Sequence, residues 1–190
     1  MLSPLNLPPL ACLKQSPLNK LRCDKFLLTI DIPIALRQKL VKLYNDASII
    51  DSIQVNLINA PFPTVSVPSI PMSYAGQTYN ISSHTRPKYN DLNLEFFVDT
   101  NFINYWLLWS WLDMLNEVET SLGDQISETT TGFTLSCLDE YNKPIVHIIY
   151  QDVSIVELSS LTLDYNNSNQ IKAAAKFVFN RMLFQYPGTL

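Results

Sequence analysis

The chain has 190 residues, 47% of them hydrophobic and only 16% charged, with a formal net charge of −4. That length suits one domain with extensions, and a charged fraction well below the usual ~25% points to surface hidden in an assembly. The acidic balance argues against a basic face that grips nucleic acid, and the four glycines form no glycine-rich phosphate loop.

Residues 1–24 carry Pro4, Pro8, Pro9 and Pro17. Proline removes backbone donors and fixes φ, so an extended arm is expected rather than a helix. Its many leucines, among them Leu5, Leu7 and Leu10, make it too apolar for a solvated tail; it lies on its own domain or on a partner. No basic region precedes them, so no secretory signal is expected. Cys12, Cys23 and Cys137 match no zinc spacing. Free thiols are expected, with a Cys12–Cys23 bridge as the alternative.

Residues 25–32 read as the first strand. Pro33 suits the first position of a helix, where its missing N–H would be unpaired anyway. Leu36, Leu40, Leu43 and Tyr44 then form one face of an amphipathic helix over 34–44. Residues 49–58 give a second strand, with Ile53, Val55 and Leu57 on one face. Residues 60–90 are punctuated by Pro61, Pro63, Pro68, Pro71 and Pro87 and predict a long irregular loop. Within it, Tyr74 to Tyr79 reads as a turn joining two short extended pieces. A loop this long in a compact domain has a job.

The chain is organised around residues 92–118. Leu92, Leu94, Phe96 and Val98 alternate with polar or outward residues, the period of a strand with one buried face. Asp99, Thr100 and Asn101 then offer helix caps. From Phe102 the period becomes helical, with Tyr105, Trp109 and Leu112 on one side and Leu107, Trp111, Met114 and Val118 on another. A helix apolar on two sides is covered twice: wholly by its own core, or by its sheet on one side and a neighbouring subunit on the other. The run is too short and too interrupted to cross a bilayer.

Residues 119–131 are polar and turn-like. Residues 132–138 and 145–150 predict a hairpin around a loop at 139–144. Residues 153–163 read as a further strand, broken near Ser159 and Ser160, and 164–169 as a loop. Residues 171–183 fit a helix by their alanine run and a strand by the alternation of Ile171, Ala173, Ala175, Phe177 and Phe179. Their place at the end of a series of strands favours the strand.

No catalytic constellation emerges, so no enzyme activity, cofactor or metal is expected. His147 alternates with apolar neighbours in a strand, where a packed or surface histidine is the default. His84, Arg86 and Lys88 form either an anion-binding cluster or a solvated loop that pairs with an acidic neighbour. Asp99, Asp113, Glu117 and Glu119 suit a cap and a solvated helix edge rather than an acid–base pair.

The order of elements resembles the phage tail tube family. The last segment, LSSLTLDYNNSNQIKAAAKFVFNRM, is similar to that family's pattern of L-x-L-D, a polar loop and an apolar residue ahead of a final alternating strand; Leu161, Leu163, Asp164 and Ile171 fit it. The stretch from Val67 to Phe102 is similar to the family's Pro-rich loop, strand, polar cap and helix. The resemblance covers roughly 25–183. The N-terminal arm and the helix after Pro33 depart from the minimal fold, so a main tube subunit and a tube-initiating or completion ring both stay open.

The resemblance implies a mainly β fold with α: an antiparallel β-sandwich or barrel over 25–190 with one long flanking helix and an inserted N-terminal helix, preceded by the arm. It implies a homo-hexameric ring that stacks into the tail tube of a virion, assembled in the host cytoplasm. DNA passes only transiently, partners are baseplate, sheath or tape-measure proteins, and no membrane is involved. The residues expected at subunit contacts are Leu5, Leu7, Leu10, Tyr74, Tyr79, Arg86, Trp106, Trp109 and Trp111. The alternatives are the homologous tube of a bacterial contractile injection or type VI system, and a monomeric β-sandwich binding module.

Overall fold

In the strand β7 (Leu92–Phe97), Leu92, Leu94 and Phe96 point into the core while Asn93 and Glu95 face out. The fold is seen in a computed structural model, which describes residues 21–34, 36–37, 56–83, 85, 87–115, 130–166 and 168–187. Strand β10 (Lys172–Val178) runs antiparallel to β7, with Ala173 opposite Phe96 and Ala175 opposite Leu94. The alanine run is thus a strand, as its alternation predicts. Both ladder partners and a buried face outweigh alanine's preference for helix, which is only a weak bias.

The remaining ladder follows from the C-terminal half. Strand β8 (Thr131–Leu138) forms the expected hairpin with β9 (Pro144–Leu158), and β1 (Phe26–Ile30) pairs with the outer edge of β8. Asp139 holds the hairpin loop: its Oδ1 accepts the N–H groups of Tyr141 and Lys143, each at 2.8 Å. Strand β2 (Leu57–Asn59) pairs with β7, giving the order β1-β8-β9-β10-β7-β2. Strand β11 (Arg181–Gln185) continues beyond β10 along the same edge of β9. The result is a curled antiparallel half-barrel.

Two sequence expectations change here. Residues 145–150 and 153–163 do not form separate strands; β9 is continuous to Leu158. Asp152 sits at φ 55° inside it, and the buried positions switch from Ile148 and Tyr150 to Val153 and Ile155 across that point. Such a bulge inserts a residue and flips the faces. Residues 159–164 carry no ladder. Ser159 ends the strand by a side-chain and backbone clasp: its Oγ accepts the Ala174 N–H and its N–H donates to the Ala174 carbonyl, both at 2.8 Å.

Helix α1 (Ile103–Leu115) lies over the sheet. Asn104, fully buried, ties its first turn to the preceding strand: Oδ1 accepts the Asp99 N–H at 3.1 Å and Nδ2 donates to the Phe97 carbonyl at 2.8 Å. Trp111 closes the core against Phe177 and Phe133, with ring centroids 5.8 and 6.4 Å away.

Residues 60–90 are less irregular than expected: the turn within Tyr74 to Tyr79 and the two extended pieces it joins are there, and they belong to a two-part ribbon. Strands β3 (Val65–Ser66) and β6 (Lys88–Tyr89) pair at its base, and β4 (Ser69–Tyr74) and β5 (Gln77–Ser82) at its tip. After Pro33 the chain turns helical, with the Arg37 N–H donating to the Pro33 carbonyl at 2.9 Å. Most of that predicted helix, the start of the strand at 49–58 and nearly all of the polar stretch at 119–131 lie outside the described residues.

Candidate functional site

Residues directly opposite in an antiparallel pair share a face. In the ribbon, Ile70 stands opposite Ile81, Met72 opposite Tyr79 and Tyr74 opposite Gln77. One face is therefore apolar. The other carries Ser69 with Ser82, Pro71 with Asn80 and Ser73 with Thr78. The tip turns through Ala75 and Gly76 at φ 49° and 79°, the double positive φ of a type I′ hairpin.

Nothing in the described chain covers the apolar face. Strands β4 and β5 pair only with each other, and Tyr74 and Tyr79 are 80% and 67% exposed. An isolated two-stranded ribbon is marginal in water, and a contiguous exposed apolar patch marks an interaction surface. The sequence holds no Asp, Glu, Lys or Arg between Asp51 and Arg86, so this surface offers a partner no charge. The sequence reading places Tyr74 and Tyr79 in the expected contact set; Ile70 and Met72 join their face only through the β4–β5 register.

Helix α1 divides its tryptophans. Trp109 is half exposed, and Trp106 is partly buried against the core. Trp111 is 0% exposed, which corrects its expected place at a subunit contact: the chain's own Phe133 and Phe177 already enclose it. Phe102, at φ 63°, is exposed and stacks 5.4 Å from the Tyr105 ring, whose hydroxyl donates to the Ser159 carbonyl at 3.0 Å. Leu5, Leu7, Leu10, His84 and Arg86 lie outside the described residues.

The remaining polar groups read as architecture. Lys176 reaches Glu157 at 3.2 Å and Asp91 at 3.8 Å across the outer sheet face, and the Lys172 ammonium sits 5.5 Å from the Phe97 ring centre. His147 Nδ1 and Ser136 Oγ are 2.8 Å apart across the β8–β9 ladder. Cys23 is a free, exposed thiol; Cys137 is free and buried, and burial pushes its thiol up. Among the described residues the buried Tyr150 hydroxyl has no hydrogen-bond partner, and it is pushed up to about 12, mainly by burial and then by Cys137. Among the described residues no three His, Cys, Asp or Glu side chains gather to hold a metal. No helix among them is long and apolar enough to cross a membrane.

At the Phe97 end of β7 an open groove of about 590 Å³ is lined by Asn56, Val98, Asp99, Thr100, Phe102 and residues 168–171. Beside it the 160–171 loop presents Leu163 and Tyr165 to solvent. These groups offer no nucleophile–base pair.

No family model matches the sequence, and no curated protein matches it significantly. Solved structures do match in fold. A chain of the anti-feeding prophage cap, its tube-terminating cap, aligns with a TM-score of 0.60 at 10% identity over 90% of this chain and 94% of that one. A chain of the sheath–tube complex of the PVC extracellular contractile injection system, in the extended state, aligns at 0.58, 10% identity and the same coverages. A chain of that system's sheath/tube terminator structure aligns at 0.55, 10% identity, over 90% of this chain and 99% of that one. The likeness is one of fold, and the fold is of the tail-tube type found in contractile injection systems.

Proposed function

We propose that the chain is a structural subunit of a tail or injection tube. Copies join edge to edge into a hexameric ring, and rings stack into a conduit. The observation that carries this reading is the uncharged apolar ribbon, left uncovered by the described residues, on a fold of the tail-tube type. Two further features support it. Among the described residues β1 pairs only with β8 and β11 only with β9, so both keep a free edge that a neighbouring sheet can extend. Trp109 adds an exposed aromatic on the helix. Leu5, Leu7, Leu10, Trp106 and Arg86 belong to the same proposed contact set.

In a phage the conduit serves DNA ejection. The net charge of −4 suits a passage that does not hold phosphates. The fold neighbours come from contractile injection systems, which favours as second reading the same ring in an injection tube. Light scattering with negative-stain imaging tests both together: rings and stacked rods are expected, while a monomer with an ordered small-molecule complex would favour a binding module instead.

A further inference from the structure

We infer that the open trough between the start of α1 and the 160–171 loop binds a neutral oligosaccharide. This goes beyond the ring reading and does not depend on it.

Two hollows, of about 620 and 590 Å³, adjoin there and share Asn169, Gln170 and Ile171 as a common wall. Each is of small-ligand size, and together they form one trough. An aromatic ring stands in each half. Phe102 lines one hollow and is 41% exposed; Tyr165 lines the other and is fully exposed. The chain holds both rings in place. Asp164 Oδ1 accepts the Asn166 N–H at 2.9 Å, which bends the loop around Tyr165. Phe102 takes φ 63° and rests its ring 5.4 Å from Tyr105, whose hydroxyl is tied to the Ser159 carbonyl.

Between the rings the lining is hydroxyl and amide. Thr100, Ser160 and Thr162 bring hydroxyls, and Asn169 and Gln170 bring amides. Each of these groups can both donate and accept. A sugar ring offers the two matching surfaces. Its face of C–H groups stacks on the negative face of an aromatic ring, and its rim of hydroxyls donates and accepts in turn.

Other ligands fit less well. Among the described lining residues, Asp99 and Asp164 are opposed by Lys172 alone, and the Lys172 ammonium already sits 5.5 Å from the Phe97 ring centre. A polyanion therefore finds no cationic wall. A wholly apolar ligand would leave the hydroxyls and amides without partners. A peptide added as a strand needs a free backbone edge, and the wall at the start of α1 has committed its donors. The Val98 N–H donates to the Ile171 carbonyl at 2.9 Å, the Asp99 N–H to Asn104 Oδ1 at 3.1 Å and the Phe102 N–H to the Asp99 carbonyl at 2.8 Å. Side-chain chemistry remains, and it suits a ligand rimmed with hydroxyls.

Saturation-transfer NMR on the full chain tests this, because it reads weak binding to a single chain and to a large assembly alike. The probes are maltohexaose, cellohexaose and chitohexaose, with hexagalacturonate as the acidic counterpart. Transfer to the ring C–H protons of at least one neutral probe is expected. Tyr165→Ala should weaken that binding roughly two- to tenfold with the melting temperature unchanged, since the side chain is fully exposed. Phe102→Gly, which also relieves the positive φ, should weaken it comparably. No transfer to any neutral probe overturns the inference. Transfer that both substitutions leave unchanged overturns it too, because the binding then lies elsewhere, as does stronger transfer to the acidic probe. A hexapeptide of Ser, Thr, Asn and Gly that shows the same dependence on Tyr165 overturns the choice of ligand. Negative-stain images of the same preparation keep the ring reading separate. Rings without transfer overturn this inference alone; transfer to a chain that forms no rings supports it and removes the ring reading.

Discussion

Trp111 and Trp109 are two residues apart on the same helix, yet they should behave as opposites. Trp111 is 0% exposed, with Phe177 and Phe133 centroids 5.8 and 6.4 Å away; Trp109 is 50% exposed. Trp111→Ala removes the largest fully buried side chain and leaves a cavity that surrounding residues fill only in part, for a cost of about 3–5 kcal/mol. The lost ring–ring contacts fall within that range or add about 0.5–1.5 kcal/mol. For a chain of this size, each kcal/mol moves the melting temperature by about 2–4 °C, so a fall of roughly 6–20 °C is expected. Trp109→Gln keeps the helix and removes a half-solvated ring, costing about 1 kcal/mol or less. The assay is urea unfolding of unassembled protein followed by circular dichroism, which does not depend on the tryptophan being removed. Equal losses for the two substitutions would refute the division of the helix into a core face and a free face. The same pair should reverse in assembly: at matched folded concentration, Trp109→Gln weakens oligomers and Trp111→Ala does so only by unfolding.

Tyr150→Phe removes a buried hydroxyl that has no partner among the described residues. Since an unpaired buried polar group costs about 1–3 kcal/mol, the variant should equal or exceed the parent in urea stability; a clear loss would reveal a partner for that hydroxyl. Its pH response follows from the pKa being pushed up to about 12. Above pH 10 the unfolded chain releases this proton while the folded chain keeps it, so this contribution is whole below pH 10 and lost as pH rises through 12. Tyr150→Phe should therefore show a shallower alkaline decline, and identical curves would contradict the burial argument. Asn104→Ala leaves the Phe97 carbonyl and the Asp99 N–H without its amide. At about 1–3 kcal/mol for each orphaned group, it should cost more than any exposed helix substitution in thermal melts. Ala75→Asn places a residue that tolerates positive φ at the ribbon tip; amide exchange in β4 and β5 should slow, and unchanged exchange would argue against the type I′ turn.

The strand-to-helix switch was legible because Leu92, Leu94 and Phe96 alternate and then meet three cap residues. The clasp that fixes the switch, Asn104, was not, since a lone Asn inside a helical pattern resembles an interruption. The alanine run could be placed as a strand because its flanking phenylalanines share one parity. Strand β9 split in two on paper because the Asp152 bulge reverses which parity faces the core. The ribbon's turn and its two extended pieces are legible around Tyr74 to Tyr79, but their pairing is obscured by Pro71, which usually argues against a strand and is tolerated here in a two-stranded ribbon with free edges. Its tip lacks the Asn-Gly pair that announces a type I′ hairpin. Tyr74 and Tyr79 flank the legible turn, while placing Met72 and Ile70 on the same face needs the pairing register. Which tryptophan was core depended on Phe133 and Phe177, far along the chain, and no local pattern carries that.

Imaging the purified full chain by electron microscopy across a concentration series tests the central claim most directly. The account predicts closed rings that give way to rods as concentration rises, with Tyr74→Ser/Tyr79→Ser protein arrested at single rings. A chain that stays monomeric at its highest soluble concentration, with β4 and β5 amides exchanging no faster than those of β7, would contradict it. Such a ribbon would be stable without a partner, and the uncovered apolar face would no longer call for a second copy.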